Sequence, residues 1–517
     1  MHISIKATDD QTIIQTNFWN HIHFHPTDAI EDIWGKRVLD KVAQDQAAKY
    51  VRMYAMLEDI VTRSPEGELQ YDFTMNDHRL DYLLGLGFKP LICYNFMPRA
   101  IAKNPLQLSK LERYKGKRIN YSEPANYLEW QEVVHQYAKH ITERYGIEEV
   151  KQWYMHCWNE PDLHYWLSDQ IYAEHQEKLP AYCRLYDHFA AGVKRVSSDL
   201  RIGGPSACYD RSFVDAFLRH TREGRNDATG EAGTPIDFFS VHVYSINPAE
   251  FSKGLRPSVN GIVEHIFQEY SDIAKRHGYG DLEIIADEWG ASSNGFSNVD
   301  HYPDLIFRET EYFPAFYVRM VDTLIREMPK RQIPLSKMMI CLSGQHHLDR
   351  DFEGYRSFFT LNDYKKPIYN GYVLMAKLGN KLLSHHTVDR EEGVGIIPTQ
   401  DDNGNYKIAL YYTDDDFSKK LGSKRVTLRL EGIQGRYRIR HYRLDHTHSN
   451  AYTMFKELGS PSQPTQQQRE AIQQAGELTL YYPEYTADLQ GSYEEHIVLT
   501  GHAVSFLELE PIHYNKQ

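Results

Sequence analysis

The chain has 517 residues, a formal net charge of −13 and five cysteines, which predicts either a large barrel with an accessory domain or two to three domains. The acidic balance argues against a nucleic-acid partner, because there is no excess of basic residues to displace the counterions of phosphates. The scattered cysteines form neither a disulfide framework nor a metal motif. No apolar run approaches the roughly 18 residues of a membrane span, and the first residues lack a secretory signal. We therefore expect a cytoplasmic protein without membrane contact.

The segment from residue 15 to 385 repeats one pattern, in which short apolar runs alternate with longer segments of helical period such as 130–145 and 182–197. Strands that alternate with helices predict a parallel sheet, and eight such units predict a closed (β/α)8 TIM barrel. Residues 1–14 are predicted to form one or two strands ahead of it. The predicted barrel strands are 18–24, 50–57, 89–96, 153–160, 201–208, 237–245, 282–288 and 337–344.

The pattern changes in residues 386–517, where short, often alternating apolar runs are separated by turn residues. Runs of this kind predict an antiparallel β-sandwich. Residues 444–476 interrupt them with a polar loop, a proline-rich stretch and a helical stretch. An excursion of this length from a compact domain predicts either a lid or an oligomer contact.

Two of the predicted barrel strands end in a glutamate. They are WYMHCWNEPDL at 153–163, which ends at Glu160 before Pro161, and LEIIADEWG at 282–290, which carries Glu288. Proline lacks an N–H and favours extended geometry in the residue before it, so we expect the first strand to end at Glu160. Because active sites of such barrels lie at the C-terminal ends of the strands, the two glutamates are predicted to share one pocket.

A pair of carboxyl groups about 5–5.5 Å apart hydrolyses glycosidic bonds with retention of configuration. One group attacks the anomeric carbon as a carboxylate, and the other donates a proton to the leaving oxygen. The apolar setting of Glu160, between Cys157, Trp158 and a proline, suits the group that starts protonated. Glu288 is then the nucleophile, and Asn159 is predicted to hold a substrate hydroxyl.

Strand alternation adds polar neighbours to this pair. It places Asp287 and Glu288 on opposite sides of their strand, and we assign Glu288 to the barrel mouth. On the preceding strand, His242 and Tyr244 share one face, from which Tyr244 is predicted to donate a hydrogen bond to the Glu288 carboxylate. Arg52, on the second strand, is predicted to pair with the same carboxylate.

Two alternatives remain open at this point. His21, His23 and His25 form an HxHxH run on the first strand, which is typical of some metal-dependent hydrolases on such barrels. That reading needs ligands from later strands, for which the candidates are His242, His346, His347 and Asp349. The fifth strand supplies no histidine, so we predict no metal. The other alternative is a non-catalytic carbohydrate-binding barrel, against which the presence of both glutamates argues.

The motifs WNEP with Asp162, SVHVY at 240–244 and ADEWGAS at 286–292 resemble those of clan A glycosidases. Within that clan the chain resembles glycoside hydrolase family 39, which contains β-xylosidases and α-L-iduronidases. The resemblance covers nearly the whole chain, and its further motifs are YDFT at 71–74, FMP at 96–98, RYGIEEV at 144–150, GGP at 203–205 and HSNAYTMFKELGSP at 448–461.

The resemblance implies a retaining, exo-acting glycosidase for a β-xyloside or related pentoside, with Glu160 as acid/base and Glu288 as nucleophile. An oligosaccharide or glycoside is the expected partner, and no cofactor is expected. It also implies that the N-terminal strand joins the β-sandwich and that residues 444–476 take part in a homo-oligomer. The candidate substrate-binding residues are Asn159, Tyr244, His242, Arg52, Trp289, Tyr54 and His23.

Three departures from the family pattern concern the sugar. Tyr54 stands where the family has a histidine, Leu342 or a neighbour replaces the tryptophan usual on the eighth strand, and the first strand, HIHFHP, is closer to the iduronidase pattern. All three fall where the non-reducing sugar would sit. The reaction class therefore follows from the resemblance, and the identity of the sugar does not.

Overall fold

The structure, a computed structural model, describes residues 1–7, 12–14, 18–25, 30–109, 118–163, 175–343 and 347–512. Its strands are β1 (His2–Lys6), β2 (Thr12–Ile13), β3 (His21–Phe24), β4 (Tyr50–Tyr54), β5 (Val61–Arg63), β6 (Leu69–Tyr71), β7 (Lys89–Tyr94), β8 (Tyr154–Cys157), β9 (Ile202–Ala207), β10 (Phe238–Ile246), β11 (Glu283–Ser292), β12 (Leu335–Leu342), β13 (Lys381–Leu382), β14 (His385–Val388), β15 (Val394–Gln400), β16 (Tyr406–Tyr412), β17 (Ser423–Leu444), β18 (Thr479–Leu480), β19 (Tyr485–Thr500) and β20 (Ala503–Pro511).

The α-helices are α1 (Ile33–Gln44), α2 (Thr74–Gly85), α3 (Tyr127–Tyr145), α4 (Ile147–Val150), α5 (His175–Lys194), α6 (Arg211–Glu223), α7 (Gln268–Arg276), α8 (Tyr312–Arg331), α9 (Pro367–Ala376), α10 (Ala451–Glu457) and α11 (Gln466–Gly476). Short 3₁₀ or π-helical segments cover Leu57–Asp59, Pro248–Lys253, Gly261–Phe267 and Pro303–Glu309. None of the described helices is long and apolar enough to cross a membrane.

The predicted (β/α)8 barrel is confirmed. Strands β3, β4, β7, β8, β9, β10, β11 and β12 pair in parallel, and β12 pairs back with β3 to close the barrel. Strands such as β8 and β9 are buried along their whole length, which is why they read as continuous rather than alternating apolar runs. The helices lie outside; α6, for example, begins where Asp210 accepts two backbone N–H bonds and buries Phe213 and Phe217.

Two of the strand limits that differ from the prediction concern the glutamates. Strand β8 ends at Cys157, because Trp158 and Glu160 adopt positive φ angles of 65° and 47° and leave extended geometry. Strand β11 continues past Glu288 to Ser292, because the long β10 offers it partners as far as Ile246. Glu160 therefore lies in a loop beyond its strand, whereas Glu288 lies within one.

The C-terminal quarter of the chain is an antiparallel β-domain, as predicted, whose strands join one curled ten-stranded sheet. The 22-residue β17 pairs with β19 along one edge, and along the other edge with β1 and then β20. The N-terminal strand β1 thus lies in this sheet, parallel to β17. Its Ile3 and Ile5 belong to the same buried cluster as Leu428 and Leu430.

The excursion at 444–476 packs onto its own barrel. Asn370 of α9 donates hydrogen bonds to the carbonyl groups of Ser449 and Gly476, which flank the two excursion helices. Phe352, in the loop that follows β12, packs in a cluster with Ala451 of α10. The excursion therefore supports the loop between β12 and α9.

Candidate active site

A cavity of about 320 Å³ opens at the C-terminal ends of the barrel strands, and both predicted glutamates line it. Its walls combine aromatic rings with a few polar groups, the usual make-up of a small-molecule site. The lining includes His25, Tyr54, Phe96, Tyr121, Asn159, Glu160, Cys208, Tyr209, Tyr244, Glu288, Phe296 and Arg356.

Glu288 is held at both carboxylate oxygens. Arg52 Nη1 donates to its Oε1 at 2.8 Å, and the Tyr244 hydroxyl donates to its Oε2 at 2.7 Å, so both contacts predicted from the sequence are present. Burial alone would raise the pKa of Glu288, but the surrounding positive charges, led by His242, hold that pKa well below its usual value. Glu288 is therefore an ionised, oriented carboxylate.

Glu160 sits in the turn that follows β8. Its backbone N–H donates to the Ser206 carbonyl group at 3.1 Å, which fixes the turn to the next strand. Its carboxyl Oε1 lies 2.8 Å from His242 Nδ1. Burial lowers the pKa of His242, but the charge of Glu288 and the nearby carboxyl groups outweigh it and raise that pKa.

His242 lies between the two glutamates. While its Nδ1 contacts Glu160, its Nε2 is 3.6 Å from Glu288 Oε1. The two carboxyl groups thus approach the same imidazole ring, one at each ring nitrogen, and both line one cavity. This arrangement brings both toward a single glycosidic bond.

The prediction that Asp287 and Glu288 point to opposite sides of their strand is wrong, although only Glu288 lines the cavity. Asp287 Oδ2 lies 3.1 Å from Arg52 Nε and accepts a hydrogen bond from Ser206 Oγ at 2.7 Å. Both carboxylates therefore meet the same guanidinium. The cause is a break in strand register at this point, where β11 shifts against β10 and β12 and simple alternation fails.

Arg52 also organises the predicted sugar-binding residues. Its Nη2 donates to Asn159 Oδ1 at 2.7 Å, and the Tyr54 hydroxyl donates to the same oxygen at 3.0 Å. These two donors fix the orientation of the Asn159 amide, with its oxygen toward Arg52. Arg52 itself is fully buried, so its position is set by the barrel interior rather than by solvent.

His23 lies on the Glu288 side of the site. Arg52 Nη1 donates to His23 Nε2 at 3.0 Å, so the proton of this ring lies on Nδ1. That Nδ1 is 3.4 Å from Glu288 Oε1 and 3.2 Å from Cys341 Sγ. Burial lowers the pKa of His23 well below its usual value, so the ring is neutral.

The metal-hydrolase alternative built on His21, His23 and His242 is not favoured. His21 lies away from the barrel mouth, where its ring accepts a hydrogen bond from the Tyr50 backbone N–H. Burial and the charge of Lys337 lower its pKa. Among the described residues, the clusters of possible metal ligands are His23 with Glu288 and Cys341, and Glu160 with Cys208 and His242; neither contains His21. The proposed ligand His346 lies outside the described residues.

Trp289 does not reach the cavity. It is fully buried and stacks on Tyr317 of α8, with ring centroids 5.6 Å apart and an interplanar angle of 16°. Beyond the register break at Asp287 the alternation resumes, so Trp289 faces the helices while Glu288 faces inward. Leu342 belongs to the same buried core cluster as Trp289, while its neighbour Cys341 lies beside His23.

Several residues of the site were missed by the sequence analysis. Arg356 donates from Nη1 to the Tyr244 hydroxyl at 2.7 Å, and it comes from the loop after β12, where no local pattern marks it. His156 accepts from Arg52 Nε at 3.1 Å and contacts Ser206 Oγ at 2.9 Å. As a polar residue inside an apolar strand, His156 carried the same signal as His242.

A closed (β/α)8 barrel whose C-terminal mouth holds two glutamates in contact with one histidine is the architecture of a glycoside hydrolase. The sequence profile of "Glycosyl hydrolases family 39" matches residues 1–483, and the chain belongs to this family. It is therefore a retaining glycosidase acting on carbohydrate, which also disfavours a non-catalytic carbohydrate-binding barrel.

The chain is similar to curated and solved relatives along almost its full length. It is 27% identical over 470 residues to a β-xylosidase of Caldicellulosiruptor saccharolyticus, with 88% of this chain and 87% of that protein covered. It is 24% identical to the α-L-iduronidase of Homo sapiens, with 81% and 64% covered. The fold matches a monomeric β-xylosidase from Caulobacter crescentus CB15 with a TM-score of 0.80 at 20% identity, covering 99% and 100% of the two chains.

Proposed function

We propose that this glycosidase removes single sugars from the end of a β-xyloside or related pentoside by double displacement, with Glu288 as nucleophile and Glu160 as acid/base. The observation that carries the proposal is the unequal setting of the two glutamates on either side of His242. Glu288 has a lowered pKa and two donors on its oxygens, whereas Glu160 meets a histidine at the edge of the cavity.

In the first step, Glu288 attacks the anomeric carbon and forms a glycosyl ester, while Glu160 protonates the departing oxygen. In the second step, Glu160 takes a proton from water, and the resulting hydroxide displaces Glu288. Arg52 and Tyr244 hold Glu288 at the attack angle throughout, because they bind different oxygens of its carboxylate. His242 keeps Glu160 aimed at the same bond.

The substrate class rests on the cavity and on the relatives. The cavity is small and walled by rings such as Phe96, Tyr121 and Phe296, which supports capture of a terminal sugar rather than a long chain. The similar curated proteins are named β-xylosidase, in two cases, and α-L-iduronidase. We propose Asn159, Tyr54, His242 and His23 as contacts of that sugar or of the nucleophile, and we exclude Trp289.

The test combines a substrate screen with a covalent trap. Aryl β-xyloside, α-arabinoside, β-glucoside, β-galactoside and α-iduronide are compared by kcat/KM, and the fluorinated analogue of the best substrate is used to trap the glycosyl ester. Mass spectrometry of peptides is expected to place the label on Glu288. The matched control is Glu283→Gln, at the far end of β11, and this variant should still be labelled on Glu288. A label on any other residue contradicts the assignment.

The excursion at 444–476 remains proposed as part of a homo-oligomer contact, in addition to its packing on the barrel. The same helices that pack on Phe352 expose polar residues to solvent, including Gln466 and Glu470. Sedimentation over a hundredfold range of dilution is expected to show concentration-dependent association. A single monomeric species at every concentration contradicts this proposal.

A further inference from the structure

Beside Glu160 lie two further side chains with metal-ligand chemistry. A carboxylate oxygen of Glu160, Cys208 Sγ and a ring nitrogen of His242 all lie within 4.8 Å of one another. His242 and Cys208 are buried, while the Glu160 side chain is 15% exposed and lines the cavity together with Cys208. The triad is thus pre-assembled and reachable from the substrate cavity.

A similar triad surrounds the other glutamate, but it is already occupied by a cation. His23, Glu288 and Cys341 also meet within 4.8 Å. There, Arg52 Nη1 lies 2.8 Å from Glu288 and 3.0 Å from His23, and it cannot lose its proton. A divalent cation at that triad would face a buried guanidinium, so the two triads are not equivalent.

The surroundings of His242 Nε2 suit a histidine that binds a metal through its other nitrogen, Nδ1. If Nδ1 binds a metal, Nε2 carries the proton, and it lies 3.6 Å from Glu288 Oε1 and 3.8 Å from Asp287 Oδ1. Neither this Nε2 nor that Oδ1 has a hydrogen-bond partner within the described part of the chain. A carboxylate behind the distal nitrogen is the usual second-sphere support of a metal-binding histidine.

We propose that a thiophilic divalent cation, Zn²⁺ or Cd²⁺, binds Glu160, Cys208 Sγ and His242 Nδ1 and inhibits the enzyme. Binding replaces the His242–Glu160 contact, Cys208 Sγ and His242 Nδ1 each release a proton to solvent, and water completes the tetrahedral set. The ligand types and the choice of Cd²⁺ follow from the softness of the thiolate. Binding itself does not depend on the proposed function, whereas inhibition rests on Glu160 being the acid/base.

The binding test uses Cd²⁺ alone with the reduced full chain. Titration is expected to give one equivalent of the ultraviolet thiolate-to-cadmium charge-transfer band. Cys208→Ser should abolish the band, and Glu160→Gln, at a partly exposed position, should raise the dissociation constant at least about tenfold. The matched control is Cys183→Ser, a cysteine of equal 6% exposure on α5, which should leave band and activity unchanged.

Inhibition is measured on the same preparations. Zn²⁺ is expected to lower kcat/KM of the wild type in competition with the glycoside, and a chelator should restore it. If Glu160→Gln or Cys208→Ser keeps the cadmium charge-transfer band of the wild type with unchanged affinity for Cd²⁺, the proposed site is wrong. If cadmium binds but kcat/KM does not change, both the inhibitory role and the proposed role of Glu160 are wrong. The fluorosugar label on Glu288 tests the nucleophile independently.

Discussion

Glu288 and Glu160 face the same cavity, but the groups around them differ in kind. Glu288 is 7% exposed at its side chain and meets a guanidinium and a phenol. Glu160 is 15% exposed and meets a histidine. The comparison teaches that two chemically identical side chains take different roles through their neighbours, because Glu288 is held at both oxygens as an ionised carboxylate, whereas Glu160 contacts a ring nitrogen of His242 and is more open to the cavity.

The largest effect is expected from removing the better-held carboxylate. Glu288→Gln keeps the shape of the side chain but cannot form the glycosyl ester, so kcat should fall by roughly 10⁴-fold or more. Turnover of the best aryl glycoside, with thermal unfolding as a check of the fold, measures this. Full activity in a correctly folded variant would remove Glu288 from the mechanism.

Glu160→Ala tests the other half of the comparison. We expect a loss of about 10²- to 10⁴-fold on glycosides with poor leaving groups, since these need a proton in the transition state. Dinitrophenyl glycosides should lose far less in the glycosylation step, and added azide should speed turnover by replacing the water that Glu160 activates. Equal losses on both leaving groups contradict an acid role.

Arg52 connects the charge of the site to its pH dependence. Arg52 helps to hold the pKa of Glu288 below its usual value, so Arg52→Gln should raise that pKa and move the acidic limb of kcat/KM to higher pH. The loss of charge-assisted bonds should also lower kcat/KM by about 100-fold. Arg52→Lys keeps the charge, so its acidic limb should stay near that of the wild type while its rate falls. A limb that does not move in Arg52→Gln argues against this electrostatic role.

Tyr244→Phe sharpens the comparison by removing one donor and no charge. Glu288 keeps Arg52 but loses the bond at Oε2, so kcat should fall by about tenfold with little change in fold. Tyr317→Phe is the control, since its buried hydroxyl bonds the backbone of Trp19, away from the cavity. Equal losses in the two variants would show that the effect is structural.

Local sequence pattern was sufficient for the barrel, the C-terminal β-domain and both glutamates. Strands that alternate with helices give a parallel barrel because parallel strands need crossover connections, and the residues at the C-terminal ends of those strands meet at one mouth. The contacts of Tyr244 and Arg52 with Glu288 followed from strand position alone.

Other features depend on partners distant in the chain. The register break that turns both Asp287 and Glu288 inward arises from how β11 pairs with β10 and β12, and no residue in β11 announces it. Arg356 arrives from a loop supported by the excursion. What the sequence determined was therefore the chemistry and its placement at the barrel mouth; the tertiary structure decided which neighbours face each carboxylate, because pairing register and loop packing are set by contacts that no local pattern contains.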